Sequence, residues 1–324
     1  MKYTQNDLKV IYPINQLSLF GYNGYFNYFV KLFEKRKMPN SILLSGPKGI
    51  GKSTFIYHLV NYILSKNEDK KYSTANFEID SDNLSYKLLS ANTHPNFYLL
   101  DKNIFDKQIK IENVRNLRKF LTKTSYSQDL KIVMIDNSEL LNINSANALL
   151  KVIEEPGNNT FFFIIHDSSF KIIDTIKSRC SEFKIFFSHN EKKSILENII
   201  QQYKNKLNIK NVDDNFYLDT PGNIINCLVN FTKSNNELSK DKLLSILYLI
   251  EKYRKDKDPQ TLSSLILFIE IYYNELAKNN KSRVTFHYCN YLKILRKIHD
   301  MKNFNLDEKN ILVYITDILQ NEKK

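Results

Sequence analysis

The sequence predicts an α/β domain built on a parallel sheet with helices on both faces, followed by a remainder that is helical throughout. Three observations carry this expectation. A glycine-rich loop lies between a short apolar run and a helical pattern near residue 46. Short apolar runs then alternate with helical patterns up to residue 187, as expected of parallel strands joined by crossover helices. Beyond about residue 188 apolar residues recur at helical spacing and strand-like alternation is absent.

The loop reads Gly46-Pro47-Lys48-Gly49-Ile50-Gly51-Lys52-Ser53, and three of the chain's seven glycines fall within it. It satisfies GxxxxGK[ST]. Ser41-Ile42-Leu43-Leu44-Ser45 before it reads as a buried strand. Phe55, Leu59 and Ile63 after it recur at helical spacing. Strand, glycine loop and helix together cradle phosphates: glycines let backbone N–H groups turn inward, and the helix N-terminus adds positive potential. In this reading Lys52 reaches the β- and γ-phosphates and the Ser53 hydroxyl ligates Mg²⁺. The candidate nucleotide-contacting residues are Gly46, Pro47, Lys48, Gly49, Ile50, Gly51, Lys52, Ser53 and Thr54. The expected cofactor is ATP or ADP with Mg²⁺.

A second strand, Lys131-Ile132-Val133-Met134-Ile135, ends in Asp136. A carboxylate there sits near the metal of a loop-bound nucleotide, so Asp136 joins the candidate set and, with Ser53, forms the candidate metal pair. Further strands are expected at Phe97–Leu100, Phe161–Ile165 and Phe183–Phe187, and a helix through Val114, Leu117 and Leu121. Hydrolysis also needs a group that activates or orients water. In many P-loop ATPases of this layout a Glu follows the strand-ending Asp; here Asn137 does, and an amide takes no proton. Glu139 lies two residues further on, in a place the sequence does not fix. The chain is expected to bind a nucleotide and to cleave it poorly.

Composition bounds the alternatives. A chain of 324 residues is expected to hold two or three domains. It carries no apolar run of membrane-spanning length and no leader pattern in MKYTQNDLKVIYP, so the cytoplasm is the expected compartment. Cys180, Cys227 and Cys289 form no CxxC pair, and His94, His189, His287 and His299 show no ligand spacing, so no zinc site is expected. The net charge of +12 admits a nucleic-acid partner, but no run of five basic residues marks a contact surface.

PNSILLSGPKGIGKSTF, THPNFYLL, KIVMIDNSELLNINSANALLKVIEEPGNNTFFFII and IKSRC, in this order and at these separations, resemble the bacterial clamp loaders, a family of AAA+ ATPases. Within it the chain is similar to the delta′ subunits of DNA polymerase III. The similarity is dense over residues 39–187. It implies an AAA+ domain at 1–187, a helical lid at 188–232 and a helical collar at 233–324 that joins subunits. It also implies that Arg179 of Ser178-Arg179-Cys180 is an arginine finger, acting in trans on a neighbour's ATP, where a guanidinium offsets charge on the transferring phosphoryl group. Cys180 beside it is expected to pack.

The partners so implied are the gamma/tau motor and delta subunits in a hetero-pentameric ring, with the sliding clamp and primed DNA reached through the assembly. The chain departs from the family's motor subunits at Asn137, at His166-Asp167 where motors carry Thr, and at Gly222 where the lid carries Arg; residues 66–95 lack the four zinc-binding cysteines of many relatives. These departures favour a delta′-like subunit with weak or no ATPase of its own. The alternatives are a self-hydrolysing motor of the gamma/tau type and a kinase of small substrates.

Overall fold

The computed structural model describes residues 12–102, 108–122, 130–157, 159–203, 219–232, 241–304 and 306–322. The polar N-terminal stretch 1–11, residues 204–218 of the expected lid and residues 233–240 at the start of the expected collar lie outside them. The chain divides into two compact units, Met1–Ile195 and Leu196–Lys324.

The first unit is the expected α/β domain. Five strands, β1 (Ser41–Gly46), β2 (Phe97–Leu100), β3 (Lys131–Ile135), β4 (Thr160–Asp167) and β5 (Ser181–Lys184), form one parallel sheet in the order β2-β3-β4-β1-β5. β4 is paired on both sides, with Phe163 opposite Ile42 of β1 and Phe161 opposite Ile132 of β3. Its continuous apolar run follows from burial on both faces. Among the described residues seven helices belong wholly or in part to this unit: α1 (Asn23–Glu34), α2 (Lys52–Leu64), α3 (Leu84–Ser90), α4 (Ile111–Thr122), α5 (Ile143–Glu154), α6 (Asp174–Lys177) and the start of α7 (His189–Gln202).

One core gathers Val133, Ile135, Phe162 and Ile164 of the sheet against Val114 and Leu117 of α4 and Leu149 and Ile153 of α5. A second core is aromatic. Tyr22, at the head of α1, stacks on Phe55 of α2 at 5.0 Å, and Phe29 tilts against Phe183 of β5 at 4.9 Å. Such ring pairs add to the burial energy of the large side chains. Asn142 caps α5 by accepting from the Ser145 N–H at 2.8 Å.

The strand expected at Phe183–Phe187 sits two residues earlier, at Ser181–Lys184. Its apolar alternation continues past the ladder: Ile185 and Phe187 are buried while Phe186 is 73% exposed. Ile185 bonds back to the Ser45 carbonyl at 2.8 Å, and its own carbonyl then passes over Gly46. The backbone leaves β1 there, so the pairing ends before the apolar pattern does.

The second unit is helical among its described residues. It holds α8 (Pro221–Thr232), α9 (Lys242–Asp256), α10 (Pro259–Asn279), α11 (Val284–Phe304) and α12 (Glu308–Asn321). Asp241, Asp258 and Asp307 cap three of these, and Pro259 opens α10 where no N–H is missed. Leu249, Leu265, Ile269, Ile294 and Ile315 are buried among them. Among the described residues no helix is long and apolar enough to cross a membrane.

Candidate functional site

In a parallel sheet all strands end at the same edge, where open α/β folds place their ligands. Gly46 ends β1, Asp167 ends β4 in register with it, and Asp101 and Asp136 follow β2 and β3 directly. The glycine loop joins β1 to α2 at this edge. Gly46 has no room for a side chain: a Cβ would lie 2.7 Å from the Ile185 carbonyl oxygen. Gly51, the residue before α2, has φ 101°, a left-handed conformation that favours glycine.

Lys52 is 5% exposed, and its ammonium donates to the carbonyls of Gly46 at 2.6 Å and Pro47 at 2.8 Å. Burial lowers its pKa, and the carboxylates of Asp167, Glu139 and Asp136 partly restore it. The Ser53 hydroxyl donates to Asp136 Oδ2 at 3.0 Å. Asp136 is pushed up to about 6, first by burial and then by the nearby Asp101, against the bonds from Ser53 and the Asn137 N–H. The loop is braced from outside by Tyr22, whose hydroxyl donates to the Ile50 carbonyl at 3.2 Å.

Asn137 takes a left-handed backbone, φ 55°. Its side-chain amide donates to Asp101 Oδ1 at 3.3 Å. That turn carries the chain on to Glu139, which the sequence left unplaced. The Glu139 side chain is 7% exposed, and Oε2 accepts from the Asp167 N–H at 3.2 Å. It lies 3.8 Å from Nδ1 of His166, itself 3% exposed. His166 Nε2 is 3.0 Å from the Phe170 carbonyl, which only accepts, so Nε2 carries the hydrogen. In the neutral ring Nδ1 then accepts from the Ser138 hydroxyl at 3.2 Å.

Arg179 lies apart from this pocket, just past α6. Its Nε donates to Glu154 Oε1 at 2.5 Å, Nη2 forms an ion pair with the same oxygen at 2.5 Å, and Nη1 donates to the Thr175 carbonyl at 3.0 Å and Ser178 Oγ at 3.3 Å. None of these is a partner of Lys52, Ser53 or Asp136. Cys180 packs half-buried against the α4–α5 core, as expected, and burial pushes its thiol up to about 11. Gly222 lies in the first turn of α8, in the second unit.

The profile of the family described as DNA polymerase III, delta subunit, matches residues 22–189. The DNA polymerase III subunit delta′ of Pseudomonas aeruginosa is 33% identical over 141 residues, 44% of this chain and 41% of that one. The subunit delta′ of Buchnera aphidicola subsp. Acyrthosiphon pisum is 29% identical over 273 residues, 77% of each chain. The chain belongs to the DNA polymerase III delta′ family. A DNA polymerase III gamma subunit-related protein of Thermotoga maritima superposes with a TM-score of 0.54 at 18% identity, over 92% of this chain and 99% of that one. That likeness concerns the fold alone, an α/β domain followed by helices.

In this delta′-family chain the loop has the donor set for a nucleotide's phosphates: a buried ammonium, the backbone of 46–53 and a helix start. Ser53 and Asp136 offer a hydroxyl and a carboxylate oxygen 3.0 Å apart, the hard ligands a Mg²⁺ ion takes. Sequence reasoning missed Asp101 and left Glu139 unassigned. A signal for Asp101 was available, because FYLLD, IVMID and FIIHD all end an apolar run in Asp.

Proposed function

We propose that this chain is a clamp-loader subunit of the delta′ type that grips a nucleotide in its own pocket and serves a neighbour's reaction. Family membership supports the assembly: motor subunits of the gamma/tau type and a delta subunit complete a hetero-pentameric ring, which loads a sliding clamp on primed DNA. Lys52 and the loop N–H groups would hold the β- and γ-phosphates, and Ser53 and Asp136 would ligate Mg²⁺. The ion neutralises phosphate charge when bound. Asn137 supplies no base, so turnover in this pocket is weak.

The observation that carries the reading is the placement of Arg179. It stands on its own turn, 37% exposed, paired with Glu154 and not with the chain's own pocket, so the guanidinium can be exchanged to a second chain. Fingers of this kind are worth about 10³–10⁵-fold in hydrolysis. One observation favours the motor reading: Glu139, not Asn137, brings a carboxylate to the pocket's edge.

ATP turnover by the purified chain decides between the two. Turnover near background supports the delta′ reading, and robust turnover lost in Glu139→Gln supports the motor. In a ring reconstituted with motor and delta subunits, Arg179→Ala lowers the ATPase rate. An unchanged rate removes the finger.

A further inference from the structure

We propose that Glu154 is a positioning residue for Arg179: it holds the guanidinium withdrawn until a neighbour's triphosphate displaces the carboxylate. This rests on the finger reading above and adds what sets the finger's posture.

A guanidinium has five N–H donors. Here Nε donates to Glu154 Oε1, Nη1 donates to the Thr175 carbonyl and Ser178 Oγ, and Nη2 lies 2.5 Å from Glu154 Oε1. Each parallel pair of N–H groups, Nε with Nη2 and Nη1 with Nη2, therefore includes one that is already engaged. A two-pronged grip on phosphate needs two parallel N–H groups, so Arg179 cannot make it without giving up a partner. Thr175 is in α6, directly before the finger, and its carbonyl moves with it. Glu154 comes from a different element, the last residue of α5, 25 positions earlier in the chain. It is the partner that a reaching Arg179 leaves behind.

The exposure of the pair suits an exchange. Side chains that are 37% and 44% exposed form an ion pair that water and salt weaken. A buried pair would lock the finger, because an unpaired buried charge is far more costly. A half-exposed one biases it. The bound posture lowers the fraction of Arg179 competent to engage, and apparent engagement falls by that fraction. The α5 helix that carries Glu154 as its last residue begins at Ile143, past the turn that holds Asn137 and Glu139.

The test uses the reconstituted ring with wild-type, Glu154→Gln, Glu154→Ala, Arg179→Ala and Glu154→Gln/Arg179→Ala chains. Sizing chromatography and thermal melts first establish equal assembly and folding. The ATPase rate per ring is then measured at low and high salt. Both Glu154 variants are expected to exceed wild type by up to about fivefold at low salt. The gain should shrink as salt rises and be absent when Arg179 is Ala. Glu154 variants equal to or slower than wild type, with Arg179→Ala slow, overturn the latch and leave the finger standing. Arg179→Ala at the wild-type rate overturns both.

Discussion

The Ser53 hydroxyl meets Asp136 Oδ2 at 3.0 Å and so ties the first turn of α2 to the end of β3. These strand ends are separated by β4 in the sheet, and the pair spans the pocket between them. The carboxylate is raised to about 6 by burial, and a cation ligand must be ionised. Binding of Mg²⁺ with ADP is therefore expected to tighten as pH rises through 6 and to release protons below it. Calorimetry at pH 5.5 and 8, in buffers of different ionisation heat, checks both. Lys52→Ala should remove the heat at either pH.

Asp136 and His58 pull acid stability in opposite directions. Asp136 holds its proton more tightly folded than unfolded, so its contribution is present in acid and lost as pH climbs from the ordinary 3.8 to about 6. His58 sits buried between the Tyr72 hydroxyl and the Gln16 carbonyl, each at 3.0 Å, and burial lowers it to about 4. Its contribution is present above 6.5 and lost as pH falls toward 4. Asp136→Asn removes the first slope. At pH 7.5 the variant is expected to be about 1–3 kcal/mol more stable than wild type. Between pH 6.5 and 4 it should lose stability more steeply. His58→Gln should show a shallower loss. Urea melts across that range measure the slopes.

Gly46→Ala should damage the fold before it affects any ligand. The new Cβ would meet the Ile185 carbonyl oxygen at 2.7 Å, in a residue whose own N–H is bonded to the Ser45 carbonyl. A loss of about 2–3 kcal/mol is expected, seen as a lower midpoint in denaturant. Gly24→Ala, where a Cβ meets nothing within 4 Å, is the control.

The helical unit has its own polar anchor. Glu322, its side chain 1% exposed, accepts from His287 Nδ1 at 2.7 Å and Asn290 Nδ2 at 2.8 Å. Glu322→Ala leaves both donors buried and unpaired, at a cost of about 3 kcal/mol. A thermal melt of the variant should show it, and hydrogen exchange should place the loss in α11 and α12.

The sequence by itself determined whatever is decided over a few residues. Glycines at 46 and 51, the apolar runs of β1 to β4, the helical spacing after Lys52 and the strand-ending Asp136 are local choices of backbone conformation and burial, and each was legible. The end of β5 was not, because Ile185 and Phe187 stay buried by packing after the ladder has stopped. Nor were the pocket's other acids, or the pairing of Glu154 with Arg179. Parallel strands bring their C-terminal ends together only after long crossovers, so Glu139 and Asp167 become neighbours of Lys52, and Asp101 of Asp136, through strand order, which no spacing encodes. The left-handed turn at Asn137 was equally hidden, since Asn tolerates that conformation but adopts it at only a minority of its positions.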